Sequence, residues 1–177
     1  MVSGLGSGGG SDLVAEVLPP VRAVEPQVEQ AVVRCLLNGC RMRMVYRAVR
    51  RGDEQSGMAR WLRPARLVWD GARWHVRGWC ELRERYADFV MSRIVGVDEI
   101  VDGESPLPRD EDWECWETLE LRPNPLLGEE GMAALRFDYG MGRKKLLKLK
   151  VRKALKRYLR ERMGVAEKEA ERFWVEE

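Results

Sequence analysis

Asp70-Gly71 narrows what this chain can fold into more than any other feature. The pair lies between two apolar and aromatic runs, Trp61 to Trp69 before it and Trp74 to Trp79 after it. An Asp-Gly step between such runs signals a β-hairpin, because turns that need positive φ match the twist of the strands they join. The surroundings repeat the pattern. Met42, Met44 and Tyr46 alternate with Arg41, Arg43 and Arg47, a polar turn follows at Asp53 to Gly57, and a polar loop at Glu81 to Glu84 leads into Tyr86 to Ile94. Arg41 to Ile100 therefore reads as short strands joined by tight turns, the second interrupted by Pro64. Ahead of them, Val28, Ala31, Val32, Cys35 and Leu36 recur at helical spacing, and Asn38-Gly39 supplies a helix end that tolerates positive φ. One helix leading several short strands predicts a small β-barrel.

Asp102 to Asp112, with Pro106 and Pro108 among charges, reads as a domain boundary. Beyond it the pattern predicts a strand at Cys115 to Leu121, a turn at Pro123-Asn124-Pro125, a short helix from Glu129 to Phe137 and a strand at Leu146 to Val151. An amphipathic helix from Arg152 to Met163 follows, closed by Gly164, with Ala154, Leu155, Tyr158, Leu159 and Met163 on one stripe that should pack on a sheet. The second unit is thus mixed α/β. The expected organisation is residues 1–18 as a flexible Gly/Ser linker or a remnant of expression, 19–104 as the first unit and 105–177 as the second.

With 177 residues and a formal net charge of +2, the chain has room for one or two cores and no overall field that argues for nucleic acid. Cys35, Cys40, Cys80 and Cys115 form no CxxC pair and His75 is the only histidine, so neither a metal site nor a cofactor is expected. Scattered free thiols suit a cytoplasmic protein. No apolar run approaches the roughly 20 residues that span a bilayer, so no membrane partner is expected. There is no GxGxxG, Walker-type or GxSxG run, and no nucleophile stands beside a base, so the chain is not read as an enzyme.

Strand alternation puts His75, Arg77 and Trp79 on one face of the hairpin and Trp74 and Val76 on the other. The first face is expected to be wet and cationic. An imidazole, a guanidinium and an indole suit a phosphate carrying a base, with Arg63 and Arg93 adding charge from neighbouring strands and Tyr46 a hydroxyl. The same alternation describes solvent-facing charges on a half-exposed sheet. Trp74 is expected to pack inside the barrel. A second candidate is the basic run from Arg143 to Arg162, with Lys144, Lys145, Lys148 and Arg152 as nucleic-acid contacts. The competing reading has that run face the acidic segment containing Asp98, Asp112, Glu117 and Glu120 within a dimer, or leaves both solvated.

The hairpin reads Asp70-Gly71-Ala72-Arg73-Trp74-His75-Val76-Arg77-Gly78-Trp79-Cys80, followed by Tyr86-Ala87-Asp88-Phe89-Val90-Met91-Ser92-Arg93-Ile94. It resembles the WYL domain, with Trp74-His75-Val76 at the Trp-Tyr-Leu position, in the variant found in regulators beside bacterial BREX and CBASS phage-defence systems. Leu121-Arg122-Pro123-Asn124-Pro125, Asp138-Tyr139-Gly140-Met141 and Val151-Arg152-Lys153-Ala154-Leu155 resemble the extension that follows WYL in those regulators. The resemblance implies an Sm-like, SH3-type barrel that binds a ligand and a small α/β extension of ferredoxin-like type that builds a homodimer. It also implies operator binding through an upstream winged helix-turn-helix. That reader is missing here, and the Gly/Ser stretch sits where its connection would lie, so the chain is expected to be a fragment or a relative without it. The implied function is the ligand-sensing and dimerising region of a regulator, with a nucleotide-like or single-stranded nucleic-acid effector. Ala48 and Ala65 stand where such regulators often carry a hydroxyl residue and a histidine. The alternatives are a dimerisation module whose pocket has decayed and an accessory nucleic-acid binder acting through the basic run.

Overall fold

The computed structural model describes residues 23–49, 56–102, 106–165 and 172–177. The expected linker at 1–18 and the boundary between residues 104 and 105 lie outside them. Helix α1 (Pro26–Asn38) has proline at its start and ends on Gly39 at φ 69°, the positive-φ stop that Asn38-Gly39 predicts. Its buried side chains are Val28, Ala31, Val32 and Cys35, the expected stripe.

Five antiparallel strands follow: β1 (Arg41–Tyr46), β2 (Ala59–Trp69), β3 (Trp74–Cys80), β4 (Arg85–Val90) and β5 (Ile94–Val101). Their order in the sheet is β4-β3-β2-β1-β5, so two strands consecutive in sequence form its opposite edges. Four inter-strand spacings of ~4.8 Å would hold those edges about 19 Å apart in a flat sheet. Only the 3-10 turn Met91–Arg93 joins β4 to β5, and three residues at ~2 Å rise reach about 6 Å. The sheet must therefore curl until its edges meet at that corner. Two hydrogen bonds clip the corner: the Val90 amide donates to the Tyr46 hydroxyl (3.3 Å) and the Arg47 amide to the Arg93 carbonyl (3.0 Å).

Among the described residues β4 and β5 share no ladder. The expected barrel is thus a strongly curled open sheet, and the expected strand Tyr86 to Ile94 is broken at Met91. Strand β5 lies within the strand pattern expected up to Ile100 but has no bounds there, because Gly96 and the exposed Asp98 and Glu99 blur its alternation. The curled sheet and α1 enclose a core containing Met42, Met44, Leu62, Val76, Cys80, Phe89 and Ile94.

A register shift between Pro64 and Arg66 bends β2, where Pro64 has no N–H to give the ladder. Gly78 lies opposite, and a Cβ there would stand 2.4 Å from the Arg63 carbonyl oxygen. Backbone cannot yield as a side-chain tip does. Gly78→Ala should therefore cost about 1–3 kcal/mol, read as a lowered urea midpoint with an unchanged slope.

The second unit contains α2 (Glu111–Glu114), β6 (Trp116–Pro123), α3 (Gly128–Asp138), β7 (Leu147–Arg152), α4 (Lys156–Arg162) and β8 (Trp174–Glu176). The strands are antiparallel in the order β7-β6-β8. Leu119, Leu121, Met141, Val165 and Trp174 form its core, closed by Leu135 of α3 and Leu159 of α4. The expected strands and the first helix are present; the helix expected from Arg152 opens as a 3-10 turn and is α-helical over Lys156–Arg162, and α2 and the three-residue β8 are additional. This βαβαβ succession is one strand short of the ferredoxin-like βαββαβ pattern among the described residues. The fold is mixed α/β with two antiparallel sheets.

Candidate functional site

Pairing of β3 with β4 sets Arg77 opposite Asp88 and Trp79 opposite Tyr86, and the Trp79 and Tyr86 rings meet edge to face at 5.7 Å. The parity expected from sequence holds, but the face is not wet. His75 is 2% and Arg77 4% exposed, because the second unit packs across them. Trp74, expected in the core, is 48% exposed. It lies at the hairpin tip, beyond the reach of the core, and rests on Trp69 at 5.2 Å.

Arg77 is the centre of the seam between the units. Its Nε and Nη2 donate side-on to Asp110 Oδ2 and Oδ1, both at 2.7 Å, and its Nη1 donates to Asp88 Oδ1 at 3.0 Å. Asp110 is buried, and its side chain also accepts from the Trp113 amide at the start of α2. The other Asp88 oxygen accepts from the Tyr158 hydroxyl of α4 at 3.0 Å. One guanidinium thus ties β3 to β4, to α2 and, through Asp88, to α4. Burial alone would lower the Arg77 pKa, and the two carboxylates reverse that and raise it. Burial, then the Asp88 charge, raises that of Tyr158, which therefore stays a donor.

His75 lies beside Tyr158, ring centroids 4.9 Å apart, with Nε2 3.6 Å from Asp70 Oδ2. Burial lowers its pKa, and the Arg73 charge adds to this against the opposing Asp70 and Asp88. The unfolded chain accordingly takes up this proton first as the pH falls through the ordinary value of 6.5. Stability from His75 is present above that pH and declines below it until the folded imidazole also titrates. Melting temperature should fall between pH 7 and 5.5 in the native chain and fall less in His75→Gln, a comparison made clean by the single histidine.

A cleft of about 580 Å³ opens between the β3–β4 face and the α4 end of the second unit. Of the five residues expected at a ligand site, it gathers Tyr46, His75, Arg77 and Arg93. Arg63, opposite Trp79 on β2, does not line it. Sequence reasoning missed Arg73, Arg83 and Arg85 from the first unit and Lys153, Arg157 and Tyr158 from the second. Among the described residues the lining holds seven arginines and lysines against two carboxylates, Asp88 and Asp112. Several are engaged. Arg73 pairs with Asp70 at 3.1 Å, Lys153 with Asp112 at 2.6 Å, and Arg157 with Glu161 at 3.6 Å while lying over the Tyr158 ring. Among the described residues, Arg85 and Arg93 have no carboxylate partner. The Tyr46 hydroxyl is occupied by the Val90 amide.

Of the second candidate's four residues, two are engaged within the chain and two are exposed. Lys148 binds Glu120 at 2.6 Å and Lys156 binds Glu117 at 3.1 Å. Arg152 lies over Trp113 and Trp116 and donates to the Trp113 carbonyl. Lys144 and Lys145 are exposed at the rim of a separate groove with Tyr139 and Leu147. Among the described residues Lys148, Lys153 and Lys156 of the basic run pair with the acidic segment within one chain.

Residues 27–99 match the WYL domain family, and residues 116–175 match the family described as BrxR transcriptional regulator, C-terminal dimerization domain. The DNA-binding transcriptional repressor CapW of Stenotrophomonas maltophilia is 29% identical over 126 residues, covering 71% of this chain and 41% of that protein. CapW of Escherichia coli (strain KTE188) is 29% identical over 154 residues, covering 87% and 50%. The chain spans about half the length of these curated relatives, or less. A solved structure, proteasome accessory factor B/C (PafBC) of Arthrobacter aurescens, is a weaker likeness at 21% identity and a TM-score of 0.42, over 64% of this chain and 19% of that one. The two family matches fall on the curled sheet with its helix and on the βαβαβ unit, and the chain is a WYL domain joined to a BrxR-type C-terminal dimerization domain.

Proposed function

We propose that this chain is the ligand-sensing and homodimerising region of a bacterial transcriptional repressor, one serving a phage-defence or stress locus. Its effector is a nucleotide-like molecule or a short single-stranded nucleic acid bound in the cleft between the two domains. The observation that carries the reading is the composition of that cleft: an excess of cations contributed by both domains, with Tyr46, Tyr86 and Tyr158 among them. Guanidinium groups bind phosphate oxygens and aromatic rings stack on bases. The relatives named as repressors and the dimerization-domain match support the regulatory part. Strand order β4-β3-β2-β1-β5 with one short turn between β4 and β5 supports an Sm-like, SH3-type description of the WYL sheet. Operator DNA is read by a winged helix-turn-helix joined upstream in the complete protein. The effector acts by binding one arrangement of the two domains better than another, since equal affinity shifts nothing.

Fluorescence anisotropy with a labelled short oligothymidylate tests this. Affinity should fall steeply with salt, and Arg85→Ala combined with Arg93→Ala should weaken it by on the order of tenfold or more. Binding unaffected by that pair would remove the cleft from consideration. The engagement of Arg77 by two carboxylates, with Ala48 on the cleft wall, favours a second reading, a dimerisation module with a decayed pocket. A native chain that dimerises and binds no probe would establish it.

A further inference from the structure

Asp110 and Asp88 hold the same guanidinium, but they are placed differently. Asp110 is withdrawn beneath α2, whereas Asp88 lines the cleft. The Asp88 side chain is 12% exposed and sits on β4, which among the described residues is an edge strand paired with β3. Its two oxygens take one hydrogen bond each, from Arg77 Nη1 and from the Tyr158 hydroxyl, both at 3.0 Å. These two donors, one from each domain, would otherwise point at whatever anion entered the cleft. A carboxylate and a phosphate offer acceptor oxygens of the same kind.

We propose that Asp88 is a tethered competitor for the anion seat of the cleft. It fills the position of a ligand phosphate between Arg77 and Tyr158 and yields it when effector binds. This rests on the cleft being an anion site and adds how that site is regulated. A diffusible ligand must displace a covalently attached carboxylate, so its apparent affinity is reduced by the fraction of time the seat is open. Arg77 keeps its side-on pair with Asp110 throughout, so the exchange leaves no buried guanidinium uncompensated. The exchange also replaces the direct tie from β4 to α4 by one that runs through the ligand. Occupancy is thereby conveyed to the dimerization domain.

Isothermal titration of the full chain with inorganic pyrophosphate tests the idea, with Asp88→Asn and Asp112→Asn compared with the native chain. Each variant removes one negative charge from the lining. Only Asp88→Asn removes the competitor, since Asp112 is exposed and paired with Lys153. Asp88→Asn should tighten binding by on the order of tenfold, and Asp112→Asn by less than about threefold, because exposed charges are screened. Thermal unfolding verifies that each variant is folded, and Asp88→Ser supplies a smaller neutral replacement if the amide fits poorly. If the native chain binds and Asp88→Asn and Asp88→Ser do not bind more tightly, or if Asp112→Asn matches them, the competitor role is overturned while the cleft remains an anion site. If neither the native chain nor any variant binds pyrophosphate or oligothymidylate, the anion site and the competitor fall together.

Discussion

Arg77→Met unfolds the chain at urea concentrations where the native protein is intact, with a loss of about 3–5 kcal/mol. The substitution keeps an unbranched apolar stem without the guanidinium and removes three hydrogen bonds at once. Most of the cost lies in what remains. Asp110 and Asp88, with side chains only 4% and 12% exposed, lose the cation that bonds to both, and Asp110 keeps only Arg66 at 3.7 Å. Arg77→Lys should not restore stability, because an ammonium cannot make the side-on pair that the planar guanidinium makes with Asp110. Adding Asp110→Asn to Arg77→Met should recover part of the loss, the signature of residues that act as a unit. A loss below about 1 kcal/mol would mean that solvent reaches the seam and that the ion pairs contribute as surface pairs do. Arg77 is consequently a poor probe of ligand binding, and Arg85 and Arg93 are better ones.

Trp174→Ala separates the dimerization domain from the rest of the molecule. Trp174 is 1% exposed in a core that has five buried residues among those described, and its ring meets Tyr139 edge to face at 4.9 Å. Removing so large a buried side chain costs about 3–5 kcal/mol. The three-residue β8 is otherwise held by its ladder to β6, where Trp174 pairs with Pro123, and by Glu176, which binds Lys156 and Arg160 of α4. Light scattering coupled to gel filtration should show the native chain as a dimer and the variant as a monomer or an aggregate. A stable dimer in Trp174→Ala would place self-association outside this domain.

Local patterning carried most of the secondary structure. The α1 stripe, the Asp70-Gly71 hairpin and the β6–α3–β7 succession each follow from spacing that a few residues set. What escaped was non-local. No run of residues announces that Met91–Arg93 turns the chain between opposite edges of one sheet. The site shows the same division. Alternation placed His75 and Arg77 on one face, but whether that face is wet depends on Asp110 and Tyr158, which lie 33 and 70 or more residues from Arg77 and Asp88 in the chain. Asp88 and Asp110 are two carboxylates among many in the sequence, and nothing in it announces their convergence on Arg77. Lys153 and Arg157 were likewise read as part of a basic run, and only the packing of α4 makes them walls of the cleft.

Hydrogen–deuterium exchange of the native chain with and without saturating oligothymidylate tests the central claim most directly. A ligand held between the two domains slows exchange in two separated segments at once, residues 74–93 of the WYL domain and 153–162 of the dimerization domain, and Arg85→Ala with Arg93→Ala abolishes both effects. Protection confined to the neighbourhood of Lys144 and Lys145, or no protection in either segment, would contradict it.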